Sequence, residues 1–438
     1  MAVATLCACS QTYASDAFGV AGASDPSVRV FHSDVARAWT SFRLGGGLNV
    51  VVVNASVPRE FAWRFQTGPQ GISSSPVVYG TTLLVDSNDH HLYAADLRTG
   101  RILWRYKAES DVMSQPVYEN GVAFIGTGTG DCSAYFPPYY VAMNASIDHL
   151  EAVDLATGKE VWTTGISGTG MPTPAIVGGS LIHVDGTGVV LALDPKSGAF
   201  RWRSNVPSIF SMTGLIDGGD ARIYAPGSFP DAVYAWNARN GRLAWRHLLP
   251  PLAGGVSDGP MASTRDALVG MYLEPLRPGP QGWVVQYGSL SREHVYALDK
   301  RSGRLLWNRT LDNVRGVAPA RNESAIPLVY RNTVYVGSSV APVVSALDVR
   351  TGRVLWQTRT GGAVKGGLVA RDGVVYFGDL GGYLWAVDAR TGSTIGRKEE
   401  GLKFNVGSPI VVNDTLVDGS NEGTVVAVPL RWIRDSHD

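Results

Sequence analysis

Apolar and small residues alternate along short stretches of this chain, and an Asp or Asn followed closely by Gly interrupts each stretch. A period of two argues for β-strands. LYAADLRTGRILW (residues 92–104) shows the pattern in full. It returns as LEAVDLATGKEVW (150–162), VLALDPKSGAFRW (190–202), VYAWNARNGRLAW (233–245), VYALDKRSGRLLW (295–307) and VSALDVRTGRVLW (344–356). A copy lacking the final Trp, LWAVDARTGSTIG (384–396), and a half-copy, VVAVPL (425–430), follow. Each copy reads as a hairpin. The Asp side chain caps the turn, Gly supplies positive φ, and the second strand ends in a large flat Trp suited to packing between sheets.

Upstream of each hairpin lies a shorter motif, often small-Pro-apolar. The motifs are SSSPVV (73–78), MSQPVY (113–118), MPTPAI (171–176), SMTGLI (211–216), SDGPMA (257–262), SAIPLV (324–329), VKGGLV (364–369) and VGSPIV (406–411). Trp residues recur roughly every 40 to 60 positions, which suits four strands per unit. The sequence therefore predicts an all-β fold: an eight-bladed β-propeller with four-stranded antiparallel blades. The last half-copy needs a partner, and FAWRFQTG (61–68) can supply it, closing the ring by pairing the N-terminal strand with the C-terminal blade. The expected organisation is residues 1–25 as a flexible N-terminus and 26–438 as one propeller. Insertions near 126–148 and 270–293, rich in aromatic residues, Pro and Gly, are candidate lids, decoration or a homodimer contact.

Charge narrows the partners. Lys and Arg total 38, as do Asp and Glu, so net charge is zero and no nucleic-acid partner is expected. Of three cysteines, Cys7 and Cys9 lie in the first ten residues and Cys132 falls in an insertion. No CxxC or CxxCH recurs, so a metal or haem site is not expected. MAVATLCACSQTYAS reads as the remnant of a signal peptide, with Cys9 placed loosely as in a lipoprotein. That points to a periplasmic, outer-membrane-associated or extracellular protein. His90 and His91 adjoin, but no third ligand has suitable spacing.

The innermost strands of a propeller line its channel. Two places before the Pro/Gly of each short motif stand Ser74, Ser114, Pro172, Met212, Asp258, Ala325, Lys365 and Gly407. Only Asp258 and Lys365 are charged, on blades five and seven. A charge facing a channel is paired or functional, because burying it alone is costly. A channel salt bridge between them is the structural alternative.

The AxDxxTGxxxW repeat resembles the pyrroloquinoline-quinone-type (quinoprotein-like) β-propeller family from about residue 60 onward. That family includes dehydrogenases, outer-membrane assembly lipoproteins and other enzymes. A quinone dehydrogenase is disfavoured, since the family's vicinal cysteine pair is missing downstream and no PQQ ligands are recognisable; no cofactor is expected. VMSQPVYENGVAFIGTGTG, GTGMPTPAIVGGSL, GSFPDAVYAWNARNG and GGVSDGPMA further resemble the tetrathionate hydrolase group within the family. That resemblance implies hydrolysis of a small anionic sulfur substrate, with Asp258 as catalytic base. Lys365, with Arg315 or Arg321, would hold the anion, and Ser114 and Met212 would line the site. A non-catalytic scaffold of the assembly-lipoprotein kind is the alternative.

Overall fold

The local chemistry of the repeat turn is visible throughout. Asp96 Oδ1 accepts hydrogen bonds from the Thr99 N–H at 2.9 Å and from Thr99 Oγ1 at 2.6 Å. Those bonds hold the Asp96 carboxyl below the usual carboxylate range. Asp154, Asp299, Asp348 and Asp388 repeat the arrangement with Thr157, Ser302, Thr351 and Thr391. The computed structural model describes residues 18–20, 29–34, 36, 38–42, 52–128, 148–210, 213–228, 230–250, 259–277, 290–317, 325–404 and 406–437.

Among these residues the strands form eight antiparallel four-stranded units. In sheet 1, Val77–Tyr79, Thr82–Ser87, His91–Asp96 and Ile102–Lys107 follow one another from one edge to the other. Sheets 2 to 7 repeat that order, starting at Val117–Glu119, Ala175–Val177, Ile216–Asp217, Ala262–Ser263, Leu328–Tyr330 and Val369–Arg371. Sheet 8 holds Ile410–Val412, Thr415–Gly419 and Thr424–Pro429, and its fourth strand is Trp63–Gln66 from the other end of the chain, with Thr424 opposite Gln66. The sequence expectation for FAWRFQTG thus holds at the level of pairing.

Neighbouring sheets dock through the repeat residues. The Trp104 indole N–H of sheet 1 donates to the Leu155 carbonyl of sheet 2 at 3.2 Å. Trp63, Trp162, Trp245, Trp307 and Trp356 donate in the same way to Leu97, Pro195, Lys300, Val349 and Ala389 of the following sheet. Where the seventh copy has lost its Trp, the helix Leu430–Arg434 takes the space: a Cβ on Gly396 would meet the Ile433 carbonyl at 2.3 Å. The interior between sheets is apolar, with Leu83, Val85, Ile182, Tyr234, Leu268, Val336 and Phe377 fully buried. Among the described residues no helix is long and apolar enough to cross a membrane.

Two findings depart from the sequence expectation. The segment read as plain propeller from residue 26 includes strands that add to the free edges of the innermost strands. Val52–Asn54 runs parallel to Ile410–Val412, with Val52 opposite Val411. Ala38–Trp39 pairs antiparallel with Val117–Glu119, with Trp39 opposite Tyr118. The Ile176 N–H of sheet 3 donates to the Thr40 carbonyl at 2.6 Å, and Phe42 packs against Gly214 of sheet 4. Phe31, Trp39 and Val53 are buried there. Unsatisfied strand edges explain this: backbone N–H and C=O groups on an inner edge need partners. The second departure is the 270–293 insertion, about half of which is regular strand. Ala267–Pro275 and Leu290–Asp299 pair along their length, and the outermost strand extends over Leu305–Val317. The centre of that insertion, and most of the 126–148 insertion with Cys132, lie outside the described residues.

Candidate functional site

Chain direction assigns the two ends of the sheets. The tight turns after the innermost strands and the Asp-x-x-Thr-Gly turns share one end, the turn end. The short small-Pro-apolar motifs therefore gather at the opposite end, the motif end. The added N-terminal strands lie against the part of the innermost strands nearest the turn end, because Trp39 and Val52 face Tyr118 and Val411.

At the motif end the inner segments are tied laterally from sheet to sheet. The Gln115 N–H donates to Thr173 Oγ1 at 2.9 Å, and the Thr173 N–H to the Thr213 carbonyl at 2.9 Å. The Gly367 N–H reaches the Gly407 carbonyl at 3.1 Å, and the Ser408 N–H reaches Ser75 Oγ at 2.9 Å. Such ties fix the inner backbone without side-chain bulk, leaving the side chains one or two places before the Pro to define the local chemistry.

Lys365 sits in this layer. Its neighbours are anchored on both sides, the Val364 N–H by the Ser338 carbonyl of sheet 6 and the Gly367 N–H by Gly407 of sheet 8. Lys365 is only 2% exposed. Ser114 lies at the corresponding place in sheet 2, fully buried, where its hydroxyl donates to the Gly126 carbonyl at 3.1 Å and accepts the Gly126 N–H at 2.8 Å. That bracing pins its own sheet. Arg315 stands apart from both, exposed on the outermost strand of sheet 5 and opposite Arg292. Asp258, Met212 and Arg321 lie outside the described residues.

The structure adds polar groups that the motif alignment passes over, because they sit on the second strand of their sheets. Asp86 is fully buried beside Ser74, whose hydroxyl donates to Asp86 Oδ1. Burial pushes the Asp86 carboxyl up to about 8, against the opposing hydrogen bonds. Asp418 of sheet 8 is buried too, accepts the Gly419 N–H at 2.9 Å, and is raised well above the carboxylate range by desolvation. In the inner motif of sheet 2, the Gln115 amide has no hydrogen-bond partner among the described residues on either of its polar atoms. His183 of sheet 3 is buried with neither ring nitrogen partnered among those residues, and burial lowers it to about 4. A carboxylate inside a β-branched run, as in TLLVDS and TLVDGS, is the sequence signal that would have marked Asp86 and Asp418.

Among the described residues no group of three or more His, Cys, Asp or Glu side chains could hold a metal ion. All three cysteines lie outside those residues.

Comparison with known proteins agrees with this architecture. The family model described as outer membrane protein assembly factor BamB matches residues 49–136, 147–272 and 291–432. Tetrathionate hydrolase of Acidithiobacillus ferrooxidans is 24% identical over 383 residues, covering 84% of this chain and 74% of that protein. Outer membrane protein assembly factor BamB of Yersinia pestis is 25% identical over 366 residues, covering 80% of this chain and 83% of its own length. Among solved structures, BamB from Moraxella catarrhalis superposes with a TM-score of 0.61 at 18% identity, over 84% of this chain and 98% of that one. These likenesses make the fold a β-propeller with quinoprotein-like repeats.

Proposed function

The chain belongs to the outer membrane protein assembly factor BamB family, and from that premise we propose that it is a closed eight-bladed propeller that hydrolyses tetrathionate at its motif end. Closure is supported by the docking of each sheet on the next, including Trp63 of sheet 8 on Leu97 of sheet 1 and Ser408 on Ser75. The observation that carries the function is Lys365, a buried cation in an inner layer whose corresponding positions are neutral in every other sheet but the fifth, where the sequence has Asp258. The similarity to tetrathionate hydrolase along most of the chain gives that charge a substrate class. The added N-terminal strands favour a channel covered at the turn end, with one working mouth.

In this reading Lys365 holds one sulfonate of the dianion, and Arg315 or Arg321 steers it from outside. Ser114 and Met212 shape the wall. Asp258 takes a proton from water as its oxygen attacks an inner sulfur. The central sulfur–sulfur bond breaks, thiosulfate leaves with the bonding pair, and the second product carries the new S–OH group on a sulfonate. Charge focused in a site of low dielectric makes both roles effective. No external oxidant is needed. An exported protein, periplasmic or at the outer membrane, suits a soluble sulfur-oxyanion substrate.

The second reading is a non-catalytic scaffold for outer-membrane assembly, favoured by the family match and by the Yersinia relative. Thiosulfate release from tetrathionate between acid and neutral pH decides between them, measured beside an Asp258→Asn variant. Release that the variant abolishes supports the hydrolase. Folded protein with no turnover at any pH sinks it and leaves the scaffold.

A further inference from the structure

A net charge of zero conceals an uneven distribution. Directly after the repeat turn in sheets 1 to 6, the outermost strand carries one or two large apolar side chains that the fold leaves in solvent. These are Ile102 and Leu103 in sheet 1, Val161 in sheet 2, Phe200 in sheet 3, Leu243 in sheet 4, Leu305 and Leu306 in sheet 5 and Leu355 in sheet 6. Leu103 is 42% exposed and Phe200 50%. Scattered exposed leucines need no explanation. These are not scattered, because the repeat register sets them at one height, one or two residues before the docking Trp.

Exposed cations flank them in the same register. Arg101 and Arg105 bracket the pair in sheet 1, Arg242 and Arg246 bracket Leu243, and Arg304 and Arg353 precede the leucines of sheets 5 and 6. The turn carboxylates are held by their own turns, as Asp96 is by Thr99, and Asp96, Asp299 and Asp348 also attract Arg101, Arg304 and Arg353 across those turns. The belt is interrupted at sheet 7, where Thr394 stands in place of a leucine. There the C-terminal helix presents Trp432, 42% exposed, with the Arg431 guanidinium 5.8 Å from its ring. In sheets 1, 4, 5 and 6 the turn end thus sets exposed aliphatic side chains beside arginine, whereas Glu160 precedes Val161 in sheet 2 and Arg201 beside Phe200 is paired with Asp194 at 2.6 Å in sheet 3; Trp432 stands beside the gap.

We propose that this rim is a docking surface for an anionic phospholipid bilayer. Apolar side chains that enter the headgroup region beside cations that meet lipid phosphates are the chemistry of interfacial binding. The pairing of exposed aliphatic side chains with arginine recurs in sheets 1, 4, 5 and 6, which suits a laterally extended surface better than a single protein partner. A nucleic acid would leave the leucines with nothing to bury against. Docking through the turn end would leave the motif end, with Lys365, facing water. The inference does not depend on the hydrolase reading, since it uses none of those residues.

The test is flotation of the full chain with vesicles of phosphatidylcholine alone and of phosphatidylcholine mixed with phosphatidylglycerol. Binding is expected only to the anionic vesicles and to fall as salt is raised. Two variant sets separate the contributions, one carrying Leu103→Ser, Leu243→Ser and Leu306→Ser, the other Arg105→Gln, Arg246→Gln and Arg353→Gln. All six positions are exposed, so melting temperature should hardly move. The first set is expected to abolish flotation, and the second to weaken it about fivefold for each arginine removed. No flotation with anionic vesicles, equal flotation with neutral ones, or an unaffected arginine set would overturn the proposal. So would binding to DNA without vesicle binding, or a dimer in solution that the leucine set dissolves while vesicles remain unbound.

Discussion

Trp104 of sheet 1 lies against Gly158 of sheet 2 so closely that a Cβ on the glycine would fall 2.6 Å from the indole Cδ2 atom. Gly158 also holds φ at +66°, where side chains are strained. The Gly of the turn is therefore fixed twice, by backbone conformation and by the indole of the preceding sheet. Gly158→Ala is expected to destabilise the fold by about 2–4 kcal/mol, combining strain with overpacking. Urea denaturation measures it. Gly401→Ala is the control, because Gly401 shares the positive φ of +68° but has no atom within 4 Å of the added carbon. It should cost only the strain, about 1 kcal/mol.

Burial of ionisable groups makes stability depend on pH. The folded Asp86 carboxyl is raised from 3.8 to about 8, and Glu293 is raised to about 7, both chiefly by desolvation. A raised carboxyl contributes stability fully below its unfolded value and loses it as pH rises through the folded one. His183 works the other way, lowered by burial from 6.5 to about 4, so its contribution is lost as pH falls through that window. Asp86, Glu293 and Asp418 together outweigh His183 and the likewise lowered His247, so the denaturation midpoint should fall between pH 5 and pH 8. Each such group contributes a slope of at most about 1.4 kcal/mol per pH unit. Asp86→Asn should flatten that decline. A midpoint that rises over the interval would contradict the burial of these carboxyls as neutral acids.

The repeat made most of this fold legible. Asp96, Gly100 and Trp104 each report a local requirement, a capped turn, a positive φ and a docking ring, so their recurrence revealed hairpins and sheet boundaries without any long-range information. The exchange between FAWRFQTG and VVAVPL followed from counting strands. The N-terminal additions did not, because Trp39 and Val52 pair with Tyr118 and Val411 across long stretches of chain and carry no turn signal of their own. Lys365 was visible as a charge in a neutral column, and the structure buries it in the inner layer. Asp86 and Asp418 were missed because the alignment compared only the innermost segments, and each stands one strand further out, as a carboxylate inside an apolar run.

The N-terminal addition has a mechanical consequence. Trp39 is 1% exposed and meets Phe31 edge to face, with ring centroids 5.2 Å apart. It rests on the innermost strand of sheet 2 while Val53 rests in the core beside sheet 8. Trp39→Ala should cost about 3–5 kcal/mol if the segment unfolds only with the propeller. A smaller loss, together with fast proteolytic cleavage before residue 55 and an unchanged remainder, would show that the segment opens by itself. Limited proteolysis followed by denaturation of the product separates the two cases.

Lys365 is the residue on which the catalytic reading can be tested without touching the proposed base. Removing a buried cation that holds a sulfonate forfeits a charge-assisted contact worth about 1.5–3 kcal/mol, or roughly 10- to 150-fold in kcat/KM. Lys365→Met keeps most of the volume but removes a buried charge together with the interaction it makes, so turnover should fall at some cost in stability. Lys365→Arg keeps the charge with a different reach and should recover part of the loss, chiefly through KM if the contact serves binding and through kcat if it grows in the transition state. Turnover unchanged in Lys365→Met would remove the buried cation from the mechanism, even where Asp258→Asn is inactive. A collapse in melting temperature without a selective loss of turnover would instead make Lys365 a structural pin between sheets 6 and 8, where Val364 and Gly367 are already anchored.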